Sequence, residues 1–573
     1  MAQQLYFSRD TRMFIQFRNP ADNTEAANKL GTGKLWEVPV LDGYSFSQTT
    51  NTSEITLAEM ESTAGISRRG RRMFTDSLAP AEWSFSTYIR PFISKAGSVT
   101  PAGSVAASNA TEVHAVEEAF FASMFGADTY TTGSGFTRAT NAAASGGGVT
   151  GGVITPGANS SVITIGESNR SALTSFVLFF MIDTATDNPL VYRMPEAIVN
   201  EVSVDFDVDG IATLNWSGFA KEVQDVLGNV CTGTTPPASN ATGATGRKDG
   251  SAIVLGDIFI DTDNAAGRQF SIIKTVPGGS SAVSVEAAID EASTSTKNFI
   301  RNRLTSVSVE AATATDKVPT IFPGKQAAIT AVDVSGGTDK VTTGTAHGFA
   351  TGDEVQISGI TGSGGTTVDL NGTHFVNVTS TTQFKLYNTA ANATTGSATG
   401  LTDLDALSAG TLTNAVVCNG KYSLVLTGGN FTIGNNITYL VPEELGAINK
   451  PLEHVTGTRS ATGTATCYLT LEDSDLTSGT SRQFFNDLVG TGAMSKVVNK
   501  FKVTMDVGGS TAATAGSNDP ALKIEFPAAH ITVPTHQIED VISLETNFEA
   551  LPTDFGTADE ITALTYFPVD DYA

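Results

Sequence analysis

The chain has 573 residues, 40% of them hydrophobic and only 16% charged, with 56 glycines and a formal net charge of −25. A chain of that length divides into several domains, and its acidity excludes a protein that grips nucleic acid by neutralising phosphates. Three scattered cysteines (Cys231, Cys418, Cys467) exclude a disulfide framework and a CxxC metal motif.

Abundant Gly, Ser, Thr and Ala suit many short strands joined by long polar loops better than long helices. The chain opens without an apolar signal core, and its longest apolar run, "FVLFFMI" from Phe176, is too short to span a bilayer. It is expected to be made in a cytosol-like compartment.

In chain order, "DTRMFIQFRN" (residues 10–19) reads as a first strand, followed by "DGYSFSQTTNTSEIT" (42–56). In "AEWSFSTYI" from Ala81, apolar Ala81, Trp83, Phe85 and Ile89 alternate with polar Glu82, Ser84, Ser86 and Tyr88. This period of two predicts a strand with one dry and one wet face. "EVHAVEEAFFASMFG" (112–126) predicts a helix with Val113, Val116, Phe120 and Met124 on one stripe, and "SFVLFFMID" from Ser175 predicts a buried strand. "EVSVDFDVDGIATLNWSGF" (201–219) reads as a hairpin about an Asp209-Gly210 turn.

A second region repeats this order. "RNRLTSVSVE" (301–310) matches the first strand and "GGNFTIGNNITYL" (428–440) the second segment. "TATCYLTLED" (464–473) matches the Trp83 strand. "SRQFFNDLVG" predicts a short helix, "KFKVTMDVGG" a strand, and "IEDVISLETNFEAL" the closing segment. The pattern is one fold used twice.

Gly/Ser/Thr/Pro-rich "SGGGVTGGVITPGANSS" (145–161) and "TGTTPPASNATGATGRKDG" (232–250) read as loops or linkers. A larger insert around residues 327–400, with short alternating strands, predicts a small independent β-domain projecting from a loop.

"FTDSLAPAEWSFSTYIRPF", "GGNFTIGNNITYLVPEELG" and "VVNKFKVTMDVGG" resemble the tail tube (major tail) proteins of long-tailed bacteriophages, in the subgroup with two fused tube domains per chain. The resemblance implies a mainly β protein: two tandem tube-type β-sandwich or barrel domains, each with a short flanking helix, plus an inserted small β-domain. The expected division is a first tube domain over 1–225 (loop inserts near 93–110 and 127–170) and a linker with a small insert over 226–295. The first strand of the second tube domain falls in 296–325, the inserted surface domain in 326–415, and the rest of the second tube domain in 416–573.

The resemblance further implies a structural virion protein, not an enzyme. Three chains would form a pseudo-hexameric ring, and rings would stack into a hollow tube that conducts double-stranded DNA without binding it specifically. Its partners would be itself and the tape-measure, tail-tip and tail-terminator proteins. Its location would be the virion tail, after synthesis in the host bacterial cytoplasm. No cofactor is implied.

A bore for DNA should be polar and acidic, because each Lys or Arg would trap a phosphate. Glu201, Asp205, Asp207, Asp209, Glu545 and Glu549 lie on wet strand faces and are candidates to line it; the alternative is a solvated outer surface. The cluster "SRRGRR" (Arg68, Arg69, Arg71, Arg72) is a candidate contact between stacked rings or else a solvated loop.

"DFDVDG" and "DTDNAAG" lack the spacing and terminal Glu of a calcium loop. The six histidines form no ligand set, and no GxSxG, HExxH or P-loop is present, so no metal or catalytic residue is assigned. Two other classes remain open: a virion-surface decoration or receptor- or glycan-binding β protein, and a glycan-degrading enzyme, whose carboxylates leave no short signature.

Overall fold

The computed structural model describes residues 7–17, 35–55, 72–95, 110–137, 152–165, 173–182, 189–290, 305–311, 326–333, 339–358, 370–442, 450–470, 480–489, 501–508 and 522–567, apart from short gaps inside these spans. The chain is mainly β, as its composition requires.

The first copy of the repeated unit comprises β1 (Thr11–Phe17), β2 (Ser45–Ser47), β3 (Thr50–Ile55), β4 (Arg72–Leu78), β5 (Ala81–Tyr88), α1 (Glu118–Phe125), β6 (Phe176–Ile182), β7 (Leu190–Asp207) and β8 (Thr213–Ala220). An outer sheet pairs β1 with β6 and β6 with the first half of β7. At Pro195, which has no N–H to give a ladder, the register slips and β7 crosses into an inner sheet ordered β2-β5-β8-β7. Along β5, Ala81, Trp83, Phe85 and Thr87 are buried while the intervening residues reach the other face, which is the alternation read from the sequence.

The helix is shorter than its periodicity predicts. Residues Ala110–Ala115 form a strand paired with Pro91–Lys95, and only Glu118–Phe125 coil, ending on Gly126 at φ +81°. Every residue of α1 is buried, so there is no one-sided stripe. Phe120 packs on Phe85 and Trp216 of the inner sheet and on Phe176 of the outer sheet. The segment read as a loop at 145–161 contains a short strand, Val153–Thr155.

The second copy comprises β9 (Leu426–Gly434), β10 (Thr438–Leu440), β11 (Glu453–Val455), β12 (Ser460–Tyr468), α2 (Ser481–Val489), β13 (Phe501–Val507), β14 (Leu522–Ile531), β15 (Thr535–Gln537), β16 (Ser543–Ala550) and β17 (Ala563–Tyr566). Its inner strands run β9-β12-β16, with β14 and then β15 on the far side of β16. Here β14 turns at Pro527, the counterpart of Pro195, and β13 pairs with Ser306–Ala311 as β6 pairs with β1. Matching registers equate Phe46 with Phe431, Tyr88 with Tyr468, Leu214 with Leu544 and Ser203 with Thr535.

The two copies share one inner sheet. The second half of β7 pairs with β9 from Glu201↔Gly434 to Asp207↔Gly428. The hairpin β10–β11 folds back on the first copy, where Ile437 and Tyr439 pack with Ile198 and Phe219, and the Tyr439 hydroxyl donates to the Glu196 carbonyl. β17 ties the copies again, pairing with β14 on one side and Ser161–Thr164 on the other.

Two further units stand among the described residues. Strands Val230–Gly233, Ile258–Asp261, Gln269–Thr275 and Ser284–Ala287 form a small sheet. It covers the outward face of the first copy's outer sheet, with Phe270 stacked on Phe14 at 4.1 Å. Six strands between Gln326 and Cys418 close as a barrel with a hydrophobic core of its own.

Candidate functional site

Directly opposed residues of antiparallel strands project from the same face, so the registers define rows across the shared inner sheet. One row runs Ser84, Ser217, Glu201, Gly434, Ser460. The next runs Ser86, Asn215, Ser203, Thr432, Thr462, Glu549, and the one after it Tyr88, Thr213, Asp205, Asn430, Thr464, Asn547. A fourth passes Asp207, Gly428, Thr466 and Glu545.

None of these positions is Lys or Arg. Side chains link strand to strand: Ser86 Oγ donates to Asn215 Oδ1 at 2.7 Å, Asn215 Nδ2 donates to Asp205 Oδ2 at 2.9 Å, and Thr464 Oγ1 donates to Asn430 Oδ1 at 2.9 Å. The opposite face carries Trp83, Phe85, Trp216, Val202, Val204, Phe431 and Phe548, all buried.

The registers therefore bring Glu201, Asp205, Glu545 and Glu549 onto one continuous polar face, each in a different row. At about 3.3 Å per residue, Glu201 and Asp205 stand about 13 Å apart along β7. Charge is spread, not gathered, and among the described residues no group of three His, Cys, Asp or Glu side chains could hold a metal ion. Asp207 ends β7 opposite Gly428; its side chain, and Asp209, lie outside the described residues. Arg72 opens β4 opposite Ile55, while its side chain and Arg68, Arg69 and Arg71 lie outside the described residues. Glu82, exposed beside Ser47 and Phe219, belongs to the same face. The alternation of β5 marks it, but only the register shows that it shares a surface with Glu201.

A second polar group has no counterpart in the sequence reading. Beneath α1, the Tyr566 hydroxyl donates to Glu117 Oε1 at 2.6 Å, and both residues are fully buried. Burial drives the Glu117 carboxyl up to about 8, against the pull of the Tyr566 hydrogen bond and of Arg90. His114 Nδ1 lies 2.9 Å from Glu118 Oε2 and Nε2 lies 3.6 Å from Glu112 Oε2. Burial alone would lower the His114 pKa, but the two carboxylates outweigh it and the net shift is upward. The partners come from 449 residues apart, a separation no sequence period reports. The group fastens β17 to the start of the first copy's helix, and its His114, Glu117, Glu118 and Tyr566 side chains are buried.

No protein-family model matches the chain. It is 35% identical over 142 residues to the tail tube protein pb6 of Escherichia phage T5, a stretch covering 25% of this chain and 28% of that relative. Over that quarter of its length, the chain is similar to a phage tail tube protein.

Proposed function

We propose that the chain is a structural protein of a phage tail, in which three copies close into a ring of six repeated units and rings stack into a hollow tube for DNA. The observation that carries this reading is the inner sheet: one face dry, the other polar and acidic with no Lys or Arg among its described residues, running through both copies. Closing such a sheet on itself removes its edges and turns the polar face into a wall that DNA slides past without phosphate capture. The similarity to a tail tube protein supports the same reading. Its partners are then further copies of itself and the proteins that set tail length and cap its ends. Its place is the virion tail after synthesis in the host cytoplasm, and no reaction is assigned to it.

The arginine cluster, which lies between β3 and β4 in chain order, is proposed to meet the acidic surface of the adjacent ring. Single exposed ion pairs contribute about 0–1 kcal/mol, so stacking would draw on their repetition around the ring. The barrel between Gln326 and Cys418 is proposed to decorate the outside.

Negative-stain electron microscopy of the purified chain at high concentration tests the reading. Hollow three-fold rings or tubes are the expected result; discrete solid particles at every salt and protein concentration would overturn it.

A further inference from the structure

The two copies are equivalent in register, but their environments are not. In the first copy, the outer edge of β7 is paired with β9. In the second, the equivalent edge at β15 has no strand beyond it among the described residues, and neither does the outer edge of β2, the counterpart of β9. The consequence is visible at one pair of positions: Phe206 is 6% exposed, whereas its counterpart Ile538 is 81% exposed. Similarly, the β10–β11 hairpin is docked on the first copy, whereas its counterpart β3–β4 leaves Thr52, Glu54 and Met73 exposed.

We infer that β2 and the β3–β4 hairpin of one chain dock on β14 and β15 of a second copy of the chain, in the register that joins β9 and β10–β11 to β7 within a chain. This deepens the ring reading and rests on it. Transferring the internal pairs Thr432↔Ser203 and Asn430↔Asp205 sets Ser47 opposite Thr535 of the next chain, and Ser45 opposite its Gln537.

The hairpin contacts transfer in the same way. Tyr439 on Ile198 becomes Glu54 on the next chain's His530, and Ile437 becomes Thr52. The joint between chains is therefore polar where the joint within a chain is apolar. Exposed Val533 and Ile538 supply its apolar part. A polar joint lets single chains stay soluble before assembly, while the apolar joint keeps the two copies of one chain together.

The test is a double variant, Ser47→Cys with Thr535→Cys, oxidised under conditions where microscopy shows assembled particles. Directly opposed Cβ atoms lie about 4.5–5.5 Å apart, close to the reach of a disulfide. The expected product is a covalent multi-chain species on a non-reducing gel, absent from either single variant and from the unsubstituted chain. Ser203→Cys with Thr432→Cys, the equivalent pair within a chain, is the positive control and should cross-link without joining chains.

Particles that form normally, with the control cross-linking and the Ser47/Thr535 pair failing to do so, would overturn this register while leaving the tube reading intact. Absence of any assembly would count against the tube reading itself and so against the docking built on it. As a second measurement, Ile538→Asp should leave monomer melting unchanged yet raise the concentration needed for assembly at least tenfold. An unaltered assembly threshold would also overturn the proposal.

Discussion

Gly218 faces Trp83 across the β5–β8 ladder so closely that a Cβ on the glycine would lie 2.4 Å from the indole ring. At the equivalent place in the second copy the sizes are exchanged: Gly463 stands where Trp83 stands and Phe548 where Gly218 stands, with 2.3 Å from the added Cβ to the Phe548 ring. Large-against-small packing is kept while the strand that supplies the large residue changes. Two sequences that share little identity thus satisfy one geometry.

The exchange predicts an asymmetry. Gly463→Ala should cost about 1–3 kcal/mol by overpacking, and Phe548→Leu should recover part of that loss because the two nearest crowding atoms belong to the Phe548 side chain, while the Asn430 carbonyl oxygen stands further off at 2.9 Å. Gly218→Ala should not be recovered by Trp83→Leu, since its Cβ would also lie 2.1 Å from the Ile198 carbonyl oxygen, which is backbone and cannot retreat. Urea unfolding of the two single and two double variants checks both halves.

What the sequence revealed follows from the range of each signal. The strands at Ala81–Tyr88, Thr213–Ala220 and Ser543–Ala550 were legible because period-two alternation is local, and so was the order of elements that identified the duplication. The helix boundary was misplaced because Val113, Val116, Phe120 and Met124 fit a helical stripe while the segment up to Ala115 is drawn into a strand by its pairing with Pro91–Lys95. The placement of Glu201 and Glu549 on one surface, and the contact of Tyr566 with Glu117, depend on registers and long-range packing that no window along the chain contains.

The buried Glu117 predicts a pH dependence of stability. Its folded pKa of about 8 lies above the ordinary glutamate value of 4.5, so between those limits the folded chain holds a proton that the unfolded chain has released. Stability from this group is fully present below the unfolded value and falls as pH rises, by up to about 1.4 kcal/mol per pH unit, levelling off above the folded pKa. Glu117→Gln keeps an acceptor for Tyr566 and cannot ionise. The variant should melt at a similar temperature to the parent near pH 5 and at a clearly higher one near pH 9. Parallel melting curves across that range would show that Glu117 is already ionised when folded.

Excision of the inserted barrel should be tolerated. Gln326 and Cys418 are directly paired, so the chain enters and leaves the barrel at neighbouring points that a short Gly/Ser linker can bridge. The barrel's core residues, among them Val341, Phe384 and Val417, are not shared with the core of the repeated copies. The shortened chain is expected to form the same particles as the full chain under the electron microscope, and residues 326–418 alone should give a cooperative thermal transition.

The acidic face offers a test of the bore itself. Glu201 and Glu549 are exposed, so Glu201→Lys with Glu549→Lys should change chain stability by about 0.5 kcal/mol or less per site. It also reverses two charges per chain, repeated in every ring. Assembled tubes of the variant should then retain short duplex DNA at 50 mM salt and lose it steeply by about 200 mM, as counterion release requires, whereas unsubstituted tubes retain none at either. Nuclease distinguishes the two places the face could point. DNA held in a bore is shielded along its length, and that is the expected result. DNA that binds the variant but is digested as fast as free duplex would put Glu201 and Glu549 on the outer surface, because only an outer face leaves bound DNA open to the enzyme.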